Sequence, residues 1–507
     1  MLKKNSVSVA IFLTAIFCLT SLSHASPILY KVRVNEDREK VRLVLDLNSD
    51  FQFKWARLGK YIQIDIPEGA IKSGTAIPKI KNNKVLEKIS TTNEAASSTE
   101  ASSGKVYIYL KFPSYFNIYP LYYPSRLVLD FRKDLKEFDR RQVLPGLEYI
   151  RFAKSNSAGP VAGSLIRVNP KLFDVLPALA GGKRYEPSFW ESVMLFFKPI
   201  FPWVEERVTH FFKQPTSAIA KRYGAVAAVN GTYFSRSGRP LGILMINGEL
   251  ITSPIYDRTA FLMTASSEPL IDNVLVRTYV STEAGSRIYI TGINEPCNDS
   301  DIILYTQRFG SKTDTKGCAE AVVRGREIRE LRGENSEIPK DGYVISAGAR
   351  LQKFLHSNLR SGDRLDINVE IVPYSLTQPM ELKQIVGGGP RLVKGGRVYV
   401  SKKEEKFKRD IATARTSRTA VGITGAGNIL FVAIDKTSRI KSDGLTKSQG
   451  MTLEELSELL MILGAVDAMN LDGGGSTTMY LSGEVVNTPA NGSEVPVSNA
   501  ILIRQKI

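Results

Sequence analysis

The segment around Asp472 carries the residue types with the clearest chemical potential in this chain. An apolar run over residues 463–471 ends in this carboxylate, and three glycines and three hydroxyl residues follow it directly. Three consecutive glycines cost on the order of 1 kcal/mol each relative to alanine in regular structure, but they let backbone N–H groups approach an anion closely. The pattern predicts a site for a phosphate-bearing or acyl substrate, and a tight turn between two strands is the alternative.

Three upstream segments share this design, in which an apolar strand runs into polar or glycine-rich backbone. They are Val-Ala-Ala-Val-Asn-Gly-Thr-Tyr-Phe at 226–234, Ile-Val-Gly-Gly-Gly-Pro-Arg-Leu-Val at 385–393 and Ser-Arg-Thr-Ala-Val-Gly at 417–422. Each segment alone indicates only a turn or a loop. Together with the Asp472 segment, they favour a functional site over four unrelated turns.

The scarcity of histidine constrains the catalytic options. Outside residues 1–25 the chain has only His210 and His356, and neither stands in a chemically suggestive context. A Ser-His-Asp triad is therefore disfavoured, and acid–base catalysis falls to Asp and Glu. Asp472 is our first choice for the key carboxylate and Asp435 is the second, although Asp435 fits equally well as the simple end of a strand.

In order and spacing, the four segments resemble the phosphodiester glycosidase family. The family's motifs correspond to Asn230-Gly231-Thr232-Tyr233-Phe234 and to residues 387–393, 418–422 and 470–477. The likeness covers residues 158–507. It implies an α+β catalytic domain with a mixed β-sheet core, which hydrolyses a sugar-1-phosphodiester in a glycan or glycolipid.

The resemblance gives the candidate residues their roles. A phosphodiester is an anion, which Arg391 and Arg418 would hold through bidentate guanidinium contacts; an Arg418–Asp472 ion pair is the alternative. Asn230 and Asn470 would hydrogen-bond the sugar or orient an acid, and Asn230 could instead only cap a turn. The phosphate oxygens would lie against backbone N–H groups and hydroxyls of Gly388, Gly389, Gly473, Gly474, Gly475, Ser476 and Thr477.

The cofactor and the exact substrate stay open at this level. Glycosyl transfer needs a carboxylate near the anomeric carbon, and phosphate is already a good leaving group. The sequence requires no cofactor, although Asp435 and Asp472 could share a divalent cation. The family usually has Asp-Gly where this chain has Asp435 and Lys436, and the longer, basic loop 437–447 favours a more anionic, polymeric substrate.

Residues 1–25 have the features of a signal peptide. Lys3 and Lys4 precede an apolar stretch over residues 7–19, and Ser23-His24-Ala25 places small residues at the outer positions of a cleavage site. No later apolar run reaches the ~18 residues of a membrane-spanning helix. We therefore expect a periplasmic or secreted protein without a transmembrane span.

Export bears on the cysteines that remain in the mature chain. Cys297 and Cys318 are an even pair in an oxidising compartment, so we expect a disulfide between them; two free thiols are the alternative. A zinc site is disfavoured because no histidine lies near either cysteine.

The net charge of +17 is large, but it does not by itself identify a class of binding partner. Lysine and arginine are scattered, and no nucleic-acid-binding motif is present, so we expect no nucleic-acid partner. Attraction to anionic envelope polymers and simple solubilisation explain the charge equally well.

The N-terminal part predicts a separate, small all-β domain over residues 26–135, because strand patterns alternate there with turns. Residues 123–131 resemble the closing strand of the AMIN domain, which implies binding of peptidoglycan or another envelope polymer; a generic sandwich is the alternative. We assign residues 136–157 to a linker and residues 158–507 to the catalytic domain.

Two further elements are predicted in the catalytic domain. Residues 185–213 form an aromatic insertion with two short helical halves, either a lid or membrane-interface hairpin, or a segment that packs on its own domain. Residues 452–463 predict a helix, with a capping box at Thr452 and Glu455, a leucine stripe and a stop at Gly464. Non-catalytic glycan or phosphate binding, or a role in exopolysaccharide assembly, is the functional alternative to hydrolysis.

Overall fold

A computed structural model gives the structure of the chain. It describes residues 26–58, 61–95, 102–156, 158–181, 211–376, 380–438 and 447–506. The predicted signal peptide, and all but residues 211–213 of the aromatic insertion, lie outside the described residues. The chain divides into two compact units, Met1–Lys133 and Asp134–Ile507. Within the described part, no helix combines the length and apolar character that crossing a membrane requires.

The N-terminal unit is built from β-strands. They are β1 (Ile28–Glu36), β2 (Lys40–Leu47), β3 (Lys54–Leu58), β4 (Tyr61–Pro67), β5 (Ala70–Ala76), β6 (Leu86–Glu94), β7 (Ser103–Leu110), β8 (Ser114–Leu121) and the first part of β9 (Arg126–Leu144). One sheet has the order β9-β2-β1-β5, with β8 also on β9, and the other has the order β3-β4-β7-β6. The predicted all-β character agrees with this architecture, whereas the relation to AMIN domains stays a prediction.

Alternating side chains explain why these strands form two layers around one core. In β4, Ile62, Ile64 and Ile66 are buried while the residues between them are partly exposed, and β7 repeats this pattern with Val106 and Ile108. A period of two places all apolar side chains of a strand on one face of the sheet. These faces meet in one hydrophobic cluster of the unit.

The C-terminal unit also consists mainly of strands. They are β10 (Leu147–Asn156), β11 (Gly159–Val168), β12 (Phe173–Leu179), β13 (Ala227–Asn230), β14 (Leu244–Ile246), β15 (Glu249–Thr252), β16 (Thr259–Thr264), β17 (Pro269–Thr282), β18 (Arg287–Ile290), β19 (Gly292–Ile293), β20 (Ile302–Tyr305), β21 (Ala319–Arg324), β22 (Glu327–Arg332), β23 (Gly342–Ala347), β24 (Leu365–Pro373), β25 (Leu382–Gly387), β26 (Arg391–Lys394), β27 (Arg397–Val398), β28 (Arg418–Thr424), β29 (Ile429–Ile434), β30 (Lys436–Thr437), β31 (Ser448–Gln449), β32 (Ala465–Asn470), β33 (Met479–Leu481), β34 (Glu484–Val485) and β35 (Asn499–Gln505). The described helices are α1 (Thr216–Arg222), α2 (Gln352–Asn358), α3 (Arg409–Ala412) and α4 (Leu453–Ile462).

The strands of this unit form four larger sheets and the β30-β31 pair. The orders are β27-β26-β32-β28-β29-β11-β10-β9, β12-β35-β13-β33-β34, β15-β14-β25-β16-β17-β18 with β24 on β17, and β19-β20-β23-β21-β22. The first two sheets share one hydrophobic cluster, to which Phe431, Met469 and Ile501 contribute. The described part is therefore β-rich with few, short helices.

The predicted mixed β-sheet core differs from the core that is observed. All strand pairs in the sheet from β27 to β9 are antiparallel, and within the described residues of the C-terminal unit only β19 and β20 pair in parallel. An apolar strand reads the same in either direction, so the sequence pattern carried no information on strand polarity.

The segment 136–157, which the sequence assigns to a linker, is mostly strand instead. The second part of β9 pairs with β10, and β10 pairs with β11 along its whole length. Charged residues occupy buried positions here: Arg140 forms ion pairs with Glu137 at 3.1 Å and with Glu148 at 3.6 Å. These paired charges interrupt the apolar alternation that would have indicated a strand.

The predicted helix at residues 452–463 is confirmed as α4. Thr452 is its N-cap and forms a reciprocal capping box with Glu455, which satisfies two otherwise free N–H groups. Leu456, Leu459 and Leu460 are buried. Gly464 follows with φ +100°, a conformation that glycine adopts without steric cost, and it turns the chain into β32.

Candidate active site

The directions of β28, β29 and β32 bring three candidate site residues to one edge of their sheet. β28 lies between β29 and β32, with Arg418 opposite Ile434 and Ala420 opposite Asn470. The start of β28 therefore lies beside the ends of β29 and β32. This arrangement places Arg418, Asp435 and Asp472 at the same edge.

Asn230, at the end of β13, ties two of the four segments to its own. Its Nδ2 donates to the Asp472 carbonyl at 2.7 Å, and its Oδ1 accepts from Thr419 Oγ1 at 2.7 Å and from Thr478 N at 3.1 Å. Asn230 is fully buried. It therefore does more than cap a local turn, because it fixes the position of the Asp472 loop.

Tyr233 joins the glycine-rich segment to the same cluster. Its hydroxyl donates to the Gly389 carbonyl and accepts from Asn470 Nδ2, both at 2.9 Å. Burial raises the pKa of the Tyr233 phenol well above its ordinary value, so the group is a neutral hydrogen-bond donor. Asn470 Oδ1 is buried and has no hydrogen-bond partner among the described residues. All four sequence segments thus meet in one place.

Asp472 is the carboxylate at the centre of this cluster. It is enclosed by protein, and a minor part of its surface is accessible. Burial raises its pKa to about 7, against hydrogen bonds from the Ser476 side chain and from Gly473 N, the latter at 3.0 Å. No described arginine or lysine pairs with it, so the Arg418–Asp472 ion pair is not formed. A carboxyl group with this pKa exchanges a proton near neutral pH.

Arg418 is a buried cation without a carboxylate partner among the described residues. Its Nε donates to the Met451 carbonyl, and its Nη2 donates to the carbonyls of Ile411 and Ala414. Its Nη1 donates to no described residue. The Arg418 side chain runs beside Gly473, whose added Cβ would lie 3.9 Å from Arg418 Cδ. Arg418 therefore keeps a positive charge and a donor group beside the backbone of Gly473.

Arg391 has a different environment from the one that the sequence predicts. It is buried, and its Nη2 pairs with Asp467 at 2.5 Å while its Nη1 lies 3.5 Å from Asp272. Two carboxylates neutralise this guanidinium. Its contacts in the structure are those of a structural ion pair, and they leave no free fork for a phosphate.

The glycine-rich segments differ in the N–H groups that they offer. Backbone N–H groups of Gly387, Gly388 and Gly389 donate to the carbonyls of Ile243, Thr259 and Asn470. These groups are not available to an anion, because all three are already bonded. The two glycines predicted to bind phosphate, Gly388 and Gly389, instead allow close packing.

The Asp472 loop does offer unpaired donors. Gly473 N binds the Asp472 carboxylate and Gly474 N binds the Ser417 carbonyl, but Gly475 N has no partner among the described residues. A short 3₁₀ turn, Gly474–Ser476, begins here. The hydroxyls of Thr477 and Thr478 are also buried, and no described residue forms a hydrogen bond with either of them. The predicted cradle therefore reduces to Gly475 N and two hydroxyls.

Gly389 provides a test of the close packing. It has φ +96°, and a Cβ there would collide with Glu405 Oε2 and with the Phe407 ring. Gly396 has φ +72° and nothing within 4 Å, so it is a matched control for backbone strain alone. We expect Gly396→Ala to cost about 1 kcal/mol of unfolding free energy and Gly389→Ala about 3 kcal/mol or more, as measured by urea denaturation. Equal costs would contradict this interpretation of the segment.

Asp435 lies in a fully satisfied, buried network. Its Oδ2 accepts from Arg151 Nη1 at 2.8 Å, and its Oδ1 accepts from Asn487 Nδ2 at 3.2 Å and Thr488 N at 3.1 Å. The side chain has no solvent exposure. This carboxylate is neutralised by a cation, in contrast to Asp472.

The two cysteines are neighbours, but they are free thiols in the structure. The predicted disulfide is thus not formed there. Cys297 lies within hydrogen-bond reach of Cys318, and burial raises the pKa of the Cys297 thiol to about 12. Their proximity is compatible with oxidation in an exported protein, and the disulfide stays a prediction.

The described residues contain no group of three or more His, Cys, Asp or Glu side chains that could hold a metal ion. The carboxylate oxygens of Asp435 already accept hydrogen bonds from Arg151, Asn487 and Thr488. A cation shared with Asp472 would have to displace these donors. The structure therefore gives no support to the metal site that Asp435 and Asp472 could share.

Arg258 also belongs to this neighbourhood, although it was not predicted from the sequence. It lies between β15 and β16, is half-buried, and places its guanidinium 4.0 Å from the centre of the Phe407 ring. Phe407 in turn lies 5.9 Å from the Tyr233 ring. Arg258 stands in no glycine-rich motif, and no periodic pattern marks its position.

The comparisons with known proteins concern the C-terminal part of the chain. Residues 317–504 match the family model described as phosphodiester glycosidase. The match includes three of the four segments and leaves out the one at residues 226–234.

Among curated proteins, the chain is similar to N-acetylglucosamine-1-phosphodiester alpha-N-acetylglucosaminidase from Mus musculus and from Bos taurus. It is 25% identical to the mouse enzyme over 243 residues, which cover 43% of this chain and 44% of the enzyme. It is 29% identical to the bovine enzyme over 239 residues, 43% of each chain. The matched region spans less than half the length of these relatives.

Two solved structures share the fold over most of the chain. A hypothetical protein from Synechocystis aligns with a TM-score of 0.59 at 21% identity and covers 95% of this chain and 81% of its own. A protein from Burkholderia pseudomallei, described as an exported protein, aligns with a TM-score of 0.54 at 16% identity. The alignment covers 90% of this chain and 96% of that protein. At these identities the likeness concerns the fold alone.

Proposed function

We propose that this protein hydrolyses the bond between the anomeric carbon of a sugar and a phosphodiester. The observation that carries the proposal is Asp472, an enclosed carboxylate without a cationic partner among the described residues, at the point where all four family-like segments converge. The family match and the curated relatives support the reaction class. Non-catalytic binding of the same ligand is the competing function.

In this proposal Asp472 moves the proton. With a pKa raised to about 7, its ionised form can accept a proton from a water molecule that attacks the anomeric carbon. Phosphate leaves readily as an anion, so a strong second acid is not required. Asn230 holds the Asp472 backbone, and hydrogen bonds from Ser476 and Gly473 N fix the carboxylate. The enzyme would then need only one free carboxylate at the site.

The substrate's negative charge would meet the donors next to Asp472. Arg418 has a free Nη1, and Gly475 N and the Thr477 hydroxyl have no partner among the described residues. Charge-assisted hydrogen bonds of this kind are shorter and stronger than neutral ones. Asn470 would serve the sugar through its unpaired, buried Oδ1.

The location of the reaction is part of the same proposal. The signal-peptide pattern of residues 1–25 and the net charge of +17 support export to a compartment that is rich in anionic polymers. The all-β N-terminal unit would then hold the enzyme on peptidoglycan or another envelope polymer. The substrate would be a phosphodiester-linked glycan or glycolipid of the envelope.

Release of free sugar from a panel of sugar-1-phosphodiesters tests the proposal. We expect turnover by the mature protein, with kcat/KM rising by about tenfold per pH unit below pH 7 and levelling off above it, because Asp472 must be ionised to accept a proton. A parallel arm with a chelator measures metal dependence. Binding of the panel without any sugar release would replace hydrolysis by the receptor function.

A further inference from the structure

Arg258 combines a fixed geometry with a guanidinium that forms no ion pair with a carboxylate of the described residues. Its Nε donates to the Glu405 carbonyl at 3.3 Å, and the guanidinium carbon lies 4.0 Å from the centre of the Phe407 ring and 5.8 Å from that of Tyr256. Contacts between a guanidinium and aromatic rings orient its plane. The remaining donors, on both Nη atoms, have no hydrogen-bond acceptor among the described residues.

The neighbouring Glu405 carboxylate attracts Arg258 electrostatically, but it forms no hydrogen bond or ion pair with the Arg258 guanidinium. Glu405 is buried, and its two oxygens accept from Thr259 N, Thr259 Oγ1, Arg391 N and Ser401 Oγ. Burial lowers the pKa of Arg258, although the charge of Glu405 acts in the opposite direction. A half-buried charge in this state gains free energy when an anion arrives.

Other arginines of the unit show how such a charge is usually satisfied. Arg391 pairs with two aspartates, and Arg415 forms a two-pronged pair with Glu455, with distances of 2.6 and 2.7 Å. Arg258 lacks an equivalent partner among the described residues. Its position therefore differs from that of the structural ion pairs of the same domain.

The location of Arg258 connects it to the proposed reaction. Arg258, Arg418 and Asp472 all act electrostatically on the hydroxyl of Tyr233. The Nε and Nη2 atoms of Arg418 donate to backbone carbonyls, whereas neither Nη atom of Arg258 donates to a described residue. The proposed proton-transfer carboxylate and a free cationic fork are thus placed around one neutral phenol.

We propose that Arg258 binds the non-bridging phosphate oxygens of the substrate and makes the site select phosphate-linked sugars over uncharged glycosides. This inference rests on the proposed function and names the residue that decides its substrate class. Arg258 acts on the phosphate alone, so its contribution disappears for a substrate without that charge. The cleaved bond and the proton transfer at Asp472 are the same for both substrates.

The test compares Arg258→Met with Arg287→Met in the full-length mature protein. Arg287 lies 5.0 Å from the centre of the Tyr279 ring, on the β17–β18 pair, and so loses the same kind of cation–aromatic contact away from the site. The substrates are a sugar-1-phosphodiester and an uncharged aryl glycoside of the same sugar. We expect Arg258→Met to lower kcat/KM for the diester about 100-fold and to leave the aryl glycoside unchanged, while Arg287→Met changes neither.

A binding measurement separates this inference from the proposed function. Sugar-1-phosphate titrated into wild type and Arg258→Met by calorimetry should bind at least about tenfold more weakly to the variant, whether or not the protein turns over any substrate. If wild type turns over no substrate but Arg258→Met still binds sugar-1-phosphate more weakly, hydrolysis is ruled out and Arg258 remains the phosphate ligand. Equal affinities, absent binding by wild type, or equal losses on both substrates would overturn the role of Arg258.

Discussion

Asp472→Asn is expected to lower kcat/KM for a sugar-1-phosphodiester about 1000-fold, in the range that loss of a proton-transfer group produces. The amide has nearly the same size and can still accept the hydrogen bond from Gly473 N through its oxygen, so the loop should keep its conformation. It cannot accept a proton from water. The measurement is the rate of sugar release at pH 8, where most of wild-type Asp472 is ionised.

The matched control for this variant is Asp467→Asn. It makes the same chemical change within β32, the strand that leads into the Asp472 loop, but its carboxylate pairs with Arg391 and not with the site. Arg391 retains Asp272 as a second partner, at 3.5 Å. We expect the activity of the control to stay within about threefold of wild type, as for most substitutions outside the site. Equal losses in both variants would remove the argument for Asp472 as the reacting group.

The stability of Asp472→Asn gives an independent check with a defined sign. The folded-state pKa of about 7 lies above the ordinary value of 3.8, so wild-type stability is greatest below the ordinary pKa and declines as pH rises through 7. Asparagine carries no charge at any pH and avoids this decline. Above pH 7 the variant should therefore be more stable than wild type by on the order of 2 kcal/mol, a value reduced because Asp472 is partly accessible. A less stable variant would show that the ionised carboxylate has a partner.

Local signals in the sequence predicted their own structure well. Thr452 and Glu455 correctly predict the start of α4, because both partners of the capping box lie within one helical turn. Asn230, Asn470 and Asp472 lie close together, in agreement with the prediction that their segments form one site. That prediction was possible because regular structure rarely needs glycines and polar residues at the ends of apolar strands. These features depend on neighbours that are close in sequence or on residue types that regular structure rarely needs.

Features that depend on distant partners could not be predicted. Arg391 looked like a phosphate ligand because Asp272, 119 positions earlier, gives no sign in the sequence of neutralising it. Asp435 likewise finds its cation in Arg151, 284 positions away. Arg258 was missed for the opposite reason, because what sets it apart is a lack of partners. A sequence lists charges but does not show which of them cancel.

Asp435→Asn should separate a structural carboxylate from a catalytic one by its effect on folding. The variant removes the carboxylate charge that faces the buried Arg151 guanidinium, and breaking a buried pair from one side costs about 3–5 kcal/mol of unfolding free energy. Sugar release by the folded protein should stay within about tenfold of wild type, because Asp472 keeps its environment. The free energy is measured by urea denaturation and the activity under native conditions.

The double variant Arg151→Met/Asp435→Asn completes the argument. Removing the cation together with the anion takes away both members of the buried ion pair, so the double variant should regain at least about half of the stability that Asp435→Asn loses. Arg151 donates through the same Nη1 to Ser164 Oγ at 3.2 Å, and loss of this weaker contact prevents full recovery. A catalytic Asp435 would behave in the opposite way: activity would fall at least about 100-fold in the single variant and would not return in the double one. Recovery of stability with retained activity would leave Asp472 as the carboxylate on which the reaction depends.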